Sequence, residues 1–463
     1  MRIIQPANQT TLSKVERFFW DYNENLQYKI AKYVVEAESE DGKRLLYNVL
    51  TRELIEAEPD EDIFNQFFLM HLYIVPVNFR EEMISMLVRE IYESQRTSVF
   101  TPKAYTILTT TACNARCFYC YEKDEPKHPM TEKTAMDVAD FIAKNYEKYG
   151  GIDKGDGVYV VMSWFGGEPL FRKKCIDIIC NSLAEKGVPY GSTMISNGYL
   201  FDEKTIETAK NLWHLKNVQI TIDGTKDVYN KTKAYIYKDD NPFETVLNNI
   251  SRLSENGVAV SIRINVGMFN IEDVELLINE LVERFQENKM VSVYLHNLFD
   301  AFNSDMRGAK ENEIVFTKIA EFERRLNDIG MCGLGKGLNN SNDGHHCMAD
   351  SENHLCILTD GRITMCEHFI NSGEISTIYD FPNKIDYDMV AKYKEIREPL
   401  PQCYDCPMLS DCSYLKICAD NEDTCTEARK QYILSRLDKK IKLKYKEVTE
   451  KAERLKTKES GAF

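Results

Sequence analysis

Six strand-like segments alternate with helix-like segments through the middle of the chain, starting at residue 103. The strand-like runs are short and rich in β-branched and aromatic residues: AYTILTT, VYVVMSWF, STMISN, VQITID, AVSIRINV and VSVYLHN. Amphipathic stretches such as TEKTAMDVADFIAKNYEKY, PFETVLNNISRLSENG and IEDVELLINELVERFQE lie between them. This alternation predicts an α/β fold with a parallel sheet and helices outside it, either as an open sheet or as a partial barrel.

Four polar segments follow predicted strands: CNARCFYC, WFGGEP, ISNG and IDG. In folds with parallel strands, ligands collect at the C-terminal ends of the strands. The four segments are therefore predicted to meet at one site.

The chain has 463 residues and a formal net charge of −15, which disfavours nucleic acid as its main partner. It has no run of 18 apolar residues, so no membrane span is expected, and the N-terminal MRIIQPANQTTLSK lacks the features of a signal peptide. We therefore expect a cytoplasmic protein in which thiols stay reduced. Fourteen cysteines, nine of them after residue 330, then indicate metal ligands rather than disulfides.

Three cysteines lie close together in the first polar segment: Cys113, Cys117 and Cys120 have the spacing C-x3-C-x2-C. A structural zinc site needs four ligands, and a redox C-x-x-C pair needs only two cysteines. His128, eight residues beyond Cys120, lies in a charged stretch and is expected to be a solvated side chain. Three thiolates fit a 4Fe–4S cluster in which one iron stays open to a substrate or cofactor.

With this loop and a second motif, the chain resembles the radical SAM enzymes. Their signature is C-x3-C-x2-C after the first strand of a partial (β/α)6 TIM barrel, with an aromatic residue, here Tyr119, before the third cysteine. Their second mark is a GGEP motif after the second strand, which here is Gly166-Gly167-Glu168-Pro169. The resemblance implies a 4Fe–4S cluster that binds S-adenosylmethionine (SAM) at its open iron.

The resemblance also implies residues that contact SAM. Gly166, Gly167 and Glu168 would receive the methionine ammonium, which needs acceptors, Tyr119 would lie by the adenine, and Asn197 would contact the ribose. Further cofactor-binding positions are implied near the carboxylate end of SAM: Thr221 and Lys233, with Arg263 as the alternative to Lys233 for the salt bridge.

The C-terminal cysteines resemble a SPASM domain, which binds auxiliary clusters. Its pattern is matched by Cys347, Gly361, Cys366, Cys403, Cys406 and Cys412, but Cys418 then follows after five residues where the family has three. By the family's topology, one auxiliary 4Fe–4S cluster would be held by Cys403, Cys406, Cys412 and Cys425. The other would be held by Cys347, Cys366 and Cys418, with Cys332 or Cys356 as fourth ligand or with an open iron. A pair of four-thiolate zinc sites is the alternative.

Glu367 directly follows Cys366. In related sulfatase-maturing enzymes an acid in the C-terminal half deprotonates the substrate residue. Glu367 is therefore a candidate catalytic base, and the alternative is a solvated carboxylate in a surface loop.

The first 98 residues contain no cysteine. After a helix-like N-terminal stretch, KYVVEAES and RLLYNVL predict a hairpin that turns at Asp41-Gly42. DEDIFNQFFLM and REEMISMLVREIYESQ predict helices, and LYIVPV a short strand. Such a unit resembles a winged-helix-like domain that recognises leader peptides, and a capping subdomain without a ligand is the alternative. The predicted domains are 1–98 (winged-helix-like), 99–328 (radical SAM partial barrel), 329–428 (SPASM) and 429–463 (C-terminal helix).

The resemblance implies a maturase of ribosomally made peptides that forms cross-links, with a sulfur-to-carbon thioether as in sactipeptides or ranthipeptides as the leading expectation. The alternatives are a carbon–carbon cross-linking enzyme, an anaerobic formylglycine-forming sulfatase maturase, and a non-catalytic peptide-binding protein that carries zinc or clusters. The expected cofactors are SAM and three 4Fe–4S clusters. The expected partners are a precursor peptide, whose leader would bind the N-terminal domain, and a flavodoxin or ferredoxin as reductant.

Overall fold

The computed structural model describes residues 1–15, 21–94, 99–123, 126–155, 157–237, 241–298, 309–333, 338, 348–369, 373–395, 398–412, 415 and 425–460. Among the helices in these ranges, none has both the length and the hydrophobicity that crossing a bilayer requires.

An antiparallel sheet forms the centre of the N-terminal unit. Its elements are β1 (Arg2–Gln5), α1 (Gln9–Val15), β2 (Tyr28–Ile30), β3 (Val34–Glu38), β4 (Arg44–Asn48), β5 (Leu54–Ala57), α2 (Gln66–Met70), β6 (Ile74–Pro76) and α3 (Glu82–Ser94). Four strands pair in the order β1-β5-β4-β3, and β2 pairs separately with β6. The predicted hairpin is confirmed, since β3 and β4 pair from Val34↔Asn48 to Glu38↔Arg44 around Gly42, whose φ is +75°. The strand β3 lies at one end of the four-stranded sheet.

Two predictions for this unit differ from the structure. The helix-like N-terminal stretch begins with a strand, because Arg2–Gln5 pairs with β5 before α1 starts. The helix predicted over DEDIFNQFFLM is shorter and begins only at Gln66. The reason is local: the Asn65 side chain accepts the backbone N–H groups of Phe67 and Phe68 and so caps the helix there.

The six predicted strands of the core are confirmed as one parallel set. They are β7 (Ala104–Thr110), β9 (Val158–Gly166), β10 (Tyr190–Ser196), β11 (Leu215–Thr221), β12 (Ala259–Val266) and β13 (Val291–Asn297), and the two-residue β8 (Ile152–Asp153) pairs antiparallel to β9. The helices are α4 (Glu132–Tyr149), α5 (Lys173–Glu185), α6 (Glu203–Asn211), α7 (Lys226–Lys233), α8 (Pro242–Glu255), α9 (Asp273–Phe285) and α10 (Ala309–Asp328). The strands are ordered β7-β9-β10-β11-β12-β13.

The two sides of this sheet differ in polarity. Val160, Met162 and Trp164 of β9 are buried in the hydrophobic core together with residues of the surrounding helices. On β11 to β13, alternate positions such as Gln219, Arg263 and Tyr294 are only half-buried. We call this second side of the sheet the inner face, and its polar side chains make it a candidate lining for a ligand site.

The C-terminal segment extends the same sheet, although its sequence shows little regular pattern. It contains β14 (His354–Ile357), β15 (Arg362–Thr364), β16 (Ser376–Thr377), α11 (Tyr387–Tyr393) and α12 (Glu427–Ser460). Parallel pairing of β14 with β7 and antiparallel pairing of β15 and β16 give the order β13-β12-β11-β10-β9-β7-β14-β15-β16. Within the described ranges β13 and β16 are the two ends, so the sheet is open there.

The helix α12 connects the N-terminal unit with the rest of the chain. Its residues Leu437, Ile441 and Tyr445 pack against Leu45 and Tyr47 of the N-terminal sheet. Near its start, Lys430 and Ile433 line a cavity formed by the C-terminal cysteines. The helix therefore holds two regions of the chain together that are far apart in sequence.

Candidate functional site

The motifs that follow the parallel strands meet at the C-terminal edge of the sheet, as predicted. The loop that carries Cys113, Cys117 and Cys120 follows β7, and Gly166 is the last residue of β9. Asn197 directly follows β10. Hydrogen bonds between these segments then fix their relative positions.

The two motif glycines allow the segment after β9 to lie directly against the start of the cysteine loop. Gly167 N–H donates to the Thr110 carbonyl and Glu168 N–H to the Ala112 carbonyl, both at 2.9 Å. A Cβ on Gly166, whose φ is +125°, would lie 2.1 Å from the Thr110 oxygen, and one on Gly167 would lie 2.5 Å from the Ala112 oxygen. Only glycine permits this approach.

Glu168 is fully buried and links the ends of β9 and β10. Its carboxylate accepts hydrogen bonds from Leu170 N–H (3.2 Å), Asn197 N–H (2.9 Å) and the Ser196 hydroxyl (3.0 and 3.1 Å). Burial raises the pKa of Glu168 to about 7, against the lowering effect of these donors. The carboxylate thus already has protein partners, which the sequence did not indicate.

Asn197 contacts the cysteine loop. Its side-chain Nδ2 donates to Asn114 Oδ1 at 2.6 Å and lies 3.8 Å from Cys113 Sγ. Asn114 is fully buried, and its own Nδ2 has no hydrogen-bond partner among the described residues. A buried donor without a partner is uncommon, and here it lies one residue from a candidate cluster ligand.

Tyr119 and Lys233 meet at a third residue, Asp223, which lies just beyond β11. The Tyr119 hydroxyl donates to Asp223, and the Lys233 ammonium lies 3.2 Å from Asp223 Oδ2 and 3.1 Å from the Tyr119 oxygen. The side chains of Lys233 and Asp223 are 4% and 0% exposed, so this is a buried ion pair. The Lys233 carbonyl also accepts the Arg116 N–H at 2.7 Å, which ties α7 to the cysteine loop.

Thr221 and Arg263 are register partners on β11 and β12, and both are half-buried on the inner face. Arg263 Nε donates to Asn265 Oδ1 at 2.8 Å, and Arg263 is the register partner of Tyr294 on β13. No carboxylate of the described residues lies within ion-pair distance of Arg263. Burial, assisted by Arg263, lowers the pKa of the neighbouring His296 to about 3, so that imidazole is neutral.

The three loop thiols are half-buried and electrostatically coupled. Burial, with a contribution from the Glu168 carboxylate, raises the pKa of Cys113 to about 12, and burial raises the pKa of Cys120 to about 11. Among the described residues, no group of three or more His, Cys, Asp or Glu side chains converges as a single metal ion requires. A four-iron cluster separates its ligands more widely than one ion does, and its charge favours the thiolate form that ligation needs.

A second group of cysteines surrounds a cavity of about 90 Å³ in the C-terminal segment. Cys403, Cys406, Cys412 and Cys425 all line it, together with Leu409 and other apolar residues. Burial raises the pKa of both Cys406 and Cys425. The four residues assigned to one auxiliary cluster are therefore brought together.

The remaining predicted ligands are not brought together in the same way. Cys356 is fully buried on β14 and packs against Leu108 and Leu358. Cys366 is half-buried just after β15. Cys332 forms an isolated parallel β-bridge with Val293 of β13, which lies at the opposite end of the sheet. Cys347 and Cys418 lie outside the described residues. Glu367 begins a 3-10 turn after Cys366, and its Oε2 is buried without a hydrogen-bond partner in the described structure.

Sequence reasoning missed three residues that organise this site: Asp223, Asn114 and Ser196. Asp223 and Ser196 belong to the segments IDG and ISNG, whose place after strands was recognised but whose polar side chains were not assigned. Asn114 carries no signal of its own beyond its position next to Cys113. Each of the three acts through partners that are distant in sequence.

Comparison with known proteins agrees with this geometry. Residues 107–281 match the family model of the Radical SAM superfamily. This range contains the cysteine loop, the glycine motif and strands β7 to β12 except for the first residues of β7.

Two curated relatives are similar to part of the chain. Fe-coproporphyrin III synthase of Methanosarcina barkeri is 23% identical over 230 residues, which are 48% of this chain and 51% of that protein. Sporulation killing factor maturation protein SkfB of Bacillus subtilis is 22% identical over 214 residues, which are 45% of this chain and 47% of that protein. The chain thus spans about half the length of each of these relatives.

Among solved structures, native anSMEcpe with bound AdoMet is 16% identical with a TM-score of 0.54, and the match covers 75% of this chain and 99% of that chain. Another structure of anSMEcpe, with the same TM-score, contains AdoMet and a Cp18Cys peptide. At this identity the likeness shows a shared fold. The family match, rather than this likeness, identifies residues 107–281 as a radical SAM domain and the protein as an enzyme.

Proposed function

We propose that the protein cleaves SAM reductively and uses the resulting radical chemistry to cross-link a ribosomally made precursor peptide. The observation that carries the proposal is the site at the strand ends. There the backbone of Gly167 and Glu168 is hydrogen-bonded to the residues that lead into the C-x3-C-x2-C loop. Binding alone would need neither this loop nor this close packing.

Cys113, Cys117 and Cys120 fit a 4Fe–4S cluster with one open iron. The three half-buried thiols of this loop would supply soft ligands, and the buried Asn114 Nδ2, which has no hydrogen-bond partner among the described residues, would be available to donate to the cluster. When bound, the cluster and SAM supply one-electron cleavage of SAM and abstraction of a substrate hydrogen atom. The chain supplies binding, orientation and exclusion of water.

We propose that the amino group of SAM donates hydrogen bonds to the backbone carbonyls of Gly166 and Gly167, near the carboxylate of Glu168. An ammonium is a donor of three hydrogen bonds and needs acceptors. The Glu168 carboxylate is held by Leu170, Ser196 and Asn197, so it contributes charge and orders the backbone. Asn197 and Tyr119 remain the proposed contacts to the ribose and adenine, and Thr221 remains a proposed contact on the inner face.

For the carboxylate of SAM, the contacts favour Arg263 over Lys233. The Lys233 ammonium is already paired with Asp223 and bonded to Tyr119. Arg263 has no acidic partner among the described residues, is half-buried, and presents a guanidinium that can bind a carboxylate through two parallel hydrogen bonds.

The cavity of Cys403, Cys406, Cys412 and Cys425 supports an auxiliary 4Fe–4S cluster in a SPASM-like segment. A four-thiolate zinc site at the same residues is the alternative. We propose a second auxiliary cluster at Cys347, Cys366 and Cys418, with Cys332 or Cys356 as its fourth ligand.

A peptide substrate is supported by the N-terminal unit and by two comparisons. SkfB is named a maturation protein, and anSMEcpe has been solved with a peptide. The strand β3 is an end strand of its sheet, and an end strand can capture an extended leader by backbone hydrogen bonds. We propose that the leader of the precursor pairs with β3. An ion pair between Arg52 of this unit and Asp411, the residue before Cys412, connects the unit to the C-terminal cysteines. The proposed reductant is a flavodoxin or ferredoxin.

We propose that the cross-link is a thioether, in which a cysteine sulfur of the peptide joins a carbon from which hydrogen was removed. For each bond the carbon would give one hydrogen atom to the 5′-deoxyadenosyl radical and the thiol one proton to a base, and the remaining electron would pass to the proposed auxiliary cluster, so the peptide loses two hydrogens. Glu367, whose buried Oε2 has no hydrogen-bond partner in the part of the chain that the structure describes, is the proposed base that takes the thiol proton.

The test is incubation of the enzyme with SAM, a one-electron reductant and cysteine-rich precursors, followed by mass spectrometry. We expect 5′-deoxyadenosine and a peptide lighter by two hydrogens per bond, with fewer alkylatable thiols. Loss of hydrogens with all thiols intact would indicate carbon–carbon cross-linking, and an aldehyde at a cysteine or serine would indicate formylglycine formation. No 5′-deoxyadenosine from a fully iron-loaded protein would overturn the proposed function.

The matched comparison is a variant that lacks residues 1–98. It should form 5′-deoxyadenosine but turn over the full-length precursor much more slowly. Equal turnover would rule out leader capture by the N-terminal unit.

A further inference from the structure

A contact between two rings joins the cysteine loop directly to the C-terminal segment. Tyr121, the residue after Cys120, stacks on His368, which lies two residues after Cys366. The ring centroids are 4.2 Å apart, and the ring planes differ by 19°. Neither ring has a role in the assignments above, although their contact connects two parts of the chain that are far apart in sequence.

Tyr121 makes this contact with its ring and not with its hydroxyl. The hydroxyl oxygen is buried and has no hydrogen-bond partner in the part of the chain that the structure describes. A buried hydroxyl without a partner costs free energy, which a phenylalanine at this position would avoid. A stacked pair of rings, by contrast, is favourable. Stacking on His368 is therefore what the Tyr121 side chain contributes here.

His368 and Glu367 share one three-residue 3-10 turn, directly after Cys366. Strand pairing does not hold this turn, because β15 ends at Thr364. Two local hydrogen bonds shape it: the Thr364 hydroxyl donates to the Cys366 carbonyl at 3.0 Å, and His368 N–H donates to Cys366 Sγ at 3.5 Å. Local bonds do not fix the turn relative to the cysteine loop, whereas the Tyr121 ring does.

The place of the Glu367 carboxylate depends on this turn. Its Oε2 is buried, and no hydrogen bond from the described residues holds that oxygen. A general base must lie within hydrogen-bond reach of the proton that it takes, and a small displacement slows the transfer strongly. What holds the turn against the cysteine loop therefore also sets the position of Glu367.

We propose that Tyr121 is a positioning residue for thioether formation: by stacking on His368 it holds Glu367 at a fixed place beside the cysteine loop. The inference rests on the proposed function and on Glu367 as the proposed base. In that step the thiol proton moves to Glu367, the sulfur bonds to the carbon radical, and the remaining electron passes to the proposed auxiliary cluster. Without the stack, hydrogen abstraction would continue, but fewer abstractions would end in a cross-link.

The experiment compares Tyr121→Leu and Tyr121→Phe in reconstituted full-length protein with SAM and a cysteine-rich precursor. Two quantities are measured: the hydrogen-exchange rate of residues 362–369, and the yield of cross-linked peptide per 5′-deoxyadenosine. In Tyr121→Leu, with iron content unchanged, we expect the exchange rate to rise about tenfold or more and the yield to fall about tenfold or more. Tyr121→Phe keeps the ring and should match the wild type in both quantities.

Two further variants separate the stack from other effects. Phe67→Leu is the matched control, because Phe67 stacks on His71 in the N-terminal unit at 4.1 Å and 22°. It should leave the exchange rate of residues 362–369 unchanged. Glu367→Gln should lower the yield per 5′-deoxyadenosine as Tyr121→Leu does, but it should leave the exchange rate near that of the wild type, because the stack stays intact.

The two measurements separate this inference from the proposed function. A fully iron-loaded wild type that forms no 5′-deoxyadenosine would contradict the proposed function. An unchanged exchange rate or an unchanged yield in Tyr121→Leu would overturn the positioning role of Tyr121. Equal losses in Tyr121→Phe and Tyr121→Leu would assign the effect to the hydroxyl and overturn it as well. If Tyr121→Leu binds less iron, His368→Leu removes the same stack from the other side, and wild-type behaviour of that variant would overturn the proposal.

Discussion

The two groups of cysteines in this protein are held by different means. The loop of Cys113, Cys117 and Cys120 is fixed by residues from three strand ends: Gly167 and Glu168 bind its base, Asn197 binds Asn114, and Asp223 binds Tyr119. Cys403 lies in a short 3-10 turn, and Cys406 and Cys412 each directly follow such a turn, whose backbone hydrogen bonds span only three residues. The first group is therefore organised by the fold, whereas the second has only local turns, so the proposed auxiliary cluster would supply more of its order.

The largest effect should come from breaking the packing at the first group. In Gly166→Ala, a Cβ would lie 2.1 Å from the Thr110 oxygen at a φ of +125°, where strain alone costs about 1–3 kcal/mol. We expect loss of about four irons per chain and of SAM cleavage. The control is Gly257→Ala, since Gly257 has a φ of +81° and nothing within 4 Å of an added Cβ. Normal iron content and activity in Gly166→Ala would contradict the proposed packing role.

The second prediction concerns order in the absence of metal. Cys403→Ala/Cys406→Ala should lose about four irons and expose the backbone around residues 398–412 to rapid hydrogen exchange, because local turns alone do not hold it. Cys113→Ala/Cys117→Ala/Cys120→Ala should leave exchange in β7 and β9 almost unchanged. The control is Cys175→Ala, a fully buried cysteine of α5 that should affect neither iron content nor these segments. An equal increase in hydrogen exchange around both groups of cysteines would contradict the proposed difference between them.

A pH effect should come from Glu168, which orders the first group. Burial raises its pKa from the usual 4.5 to about 7, so between these pH values the folded chain keeps a proton that the unfolded chain has lost. Stability from this residue therefore falls as pH rises from about 4.5 to about 7, by up to about 3 kcal/mol at about 1.4 kcal/mol per pKa unit. Glu168→Gln should remove this part of the pH dependence of the thermal midpoint, and Glu132→Gln should not. An unchanged pH profile in Glu168→Gln would contradict the burial of a shifted carboxyl.

The smallest effects should come from two ion pairs between the N-terminal unit and the second group. Arg52 and Asp411, 2.6 Å apart and 13% and 19% exposed, form a largely buried pair, whereas Lys32 and Asp405 are 39% and 73% exposed. Asp411→Asn should destabilise the protein by about 1.5–3 kcal/mol, and Asp405→Asn should have no measurable effect. Thermal unfolding measures both, and a larger effect of Asp405→Asn would show that exposure does not rank these contacts.

The sequence predicts the core well and the C-terminal strands poorly, for a physical reason. The parallel strands repeat one pattern over six units, and each is long enough to show it. By contrast, β14 to β16 have two to four residues each and lie among cysteines and turns, so no periodicity appears. The ion pair between Lys233 and Asp223 could not be predicted from the sequence either, because it depends on where α7 places Lys233 relative to the end of β11. A charged residue near a cofactor motif therefore does not by itself reveal what it contacts.

The most direct test of the central claim is iron and acid-labile sulfide per chain after anaerobic reconstitution, with zinc measured in parallel. We expect about twelve irons in the wild type and about eight in Cys113→Ala/Cys117→Ala/Cys120→Ala, with matching losses of sulfide. Equal iron content in the two proteins would contradict a cluster at the C-x3-C-x2-C loop and, with it, the proposed radical chemistry.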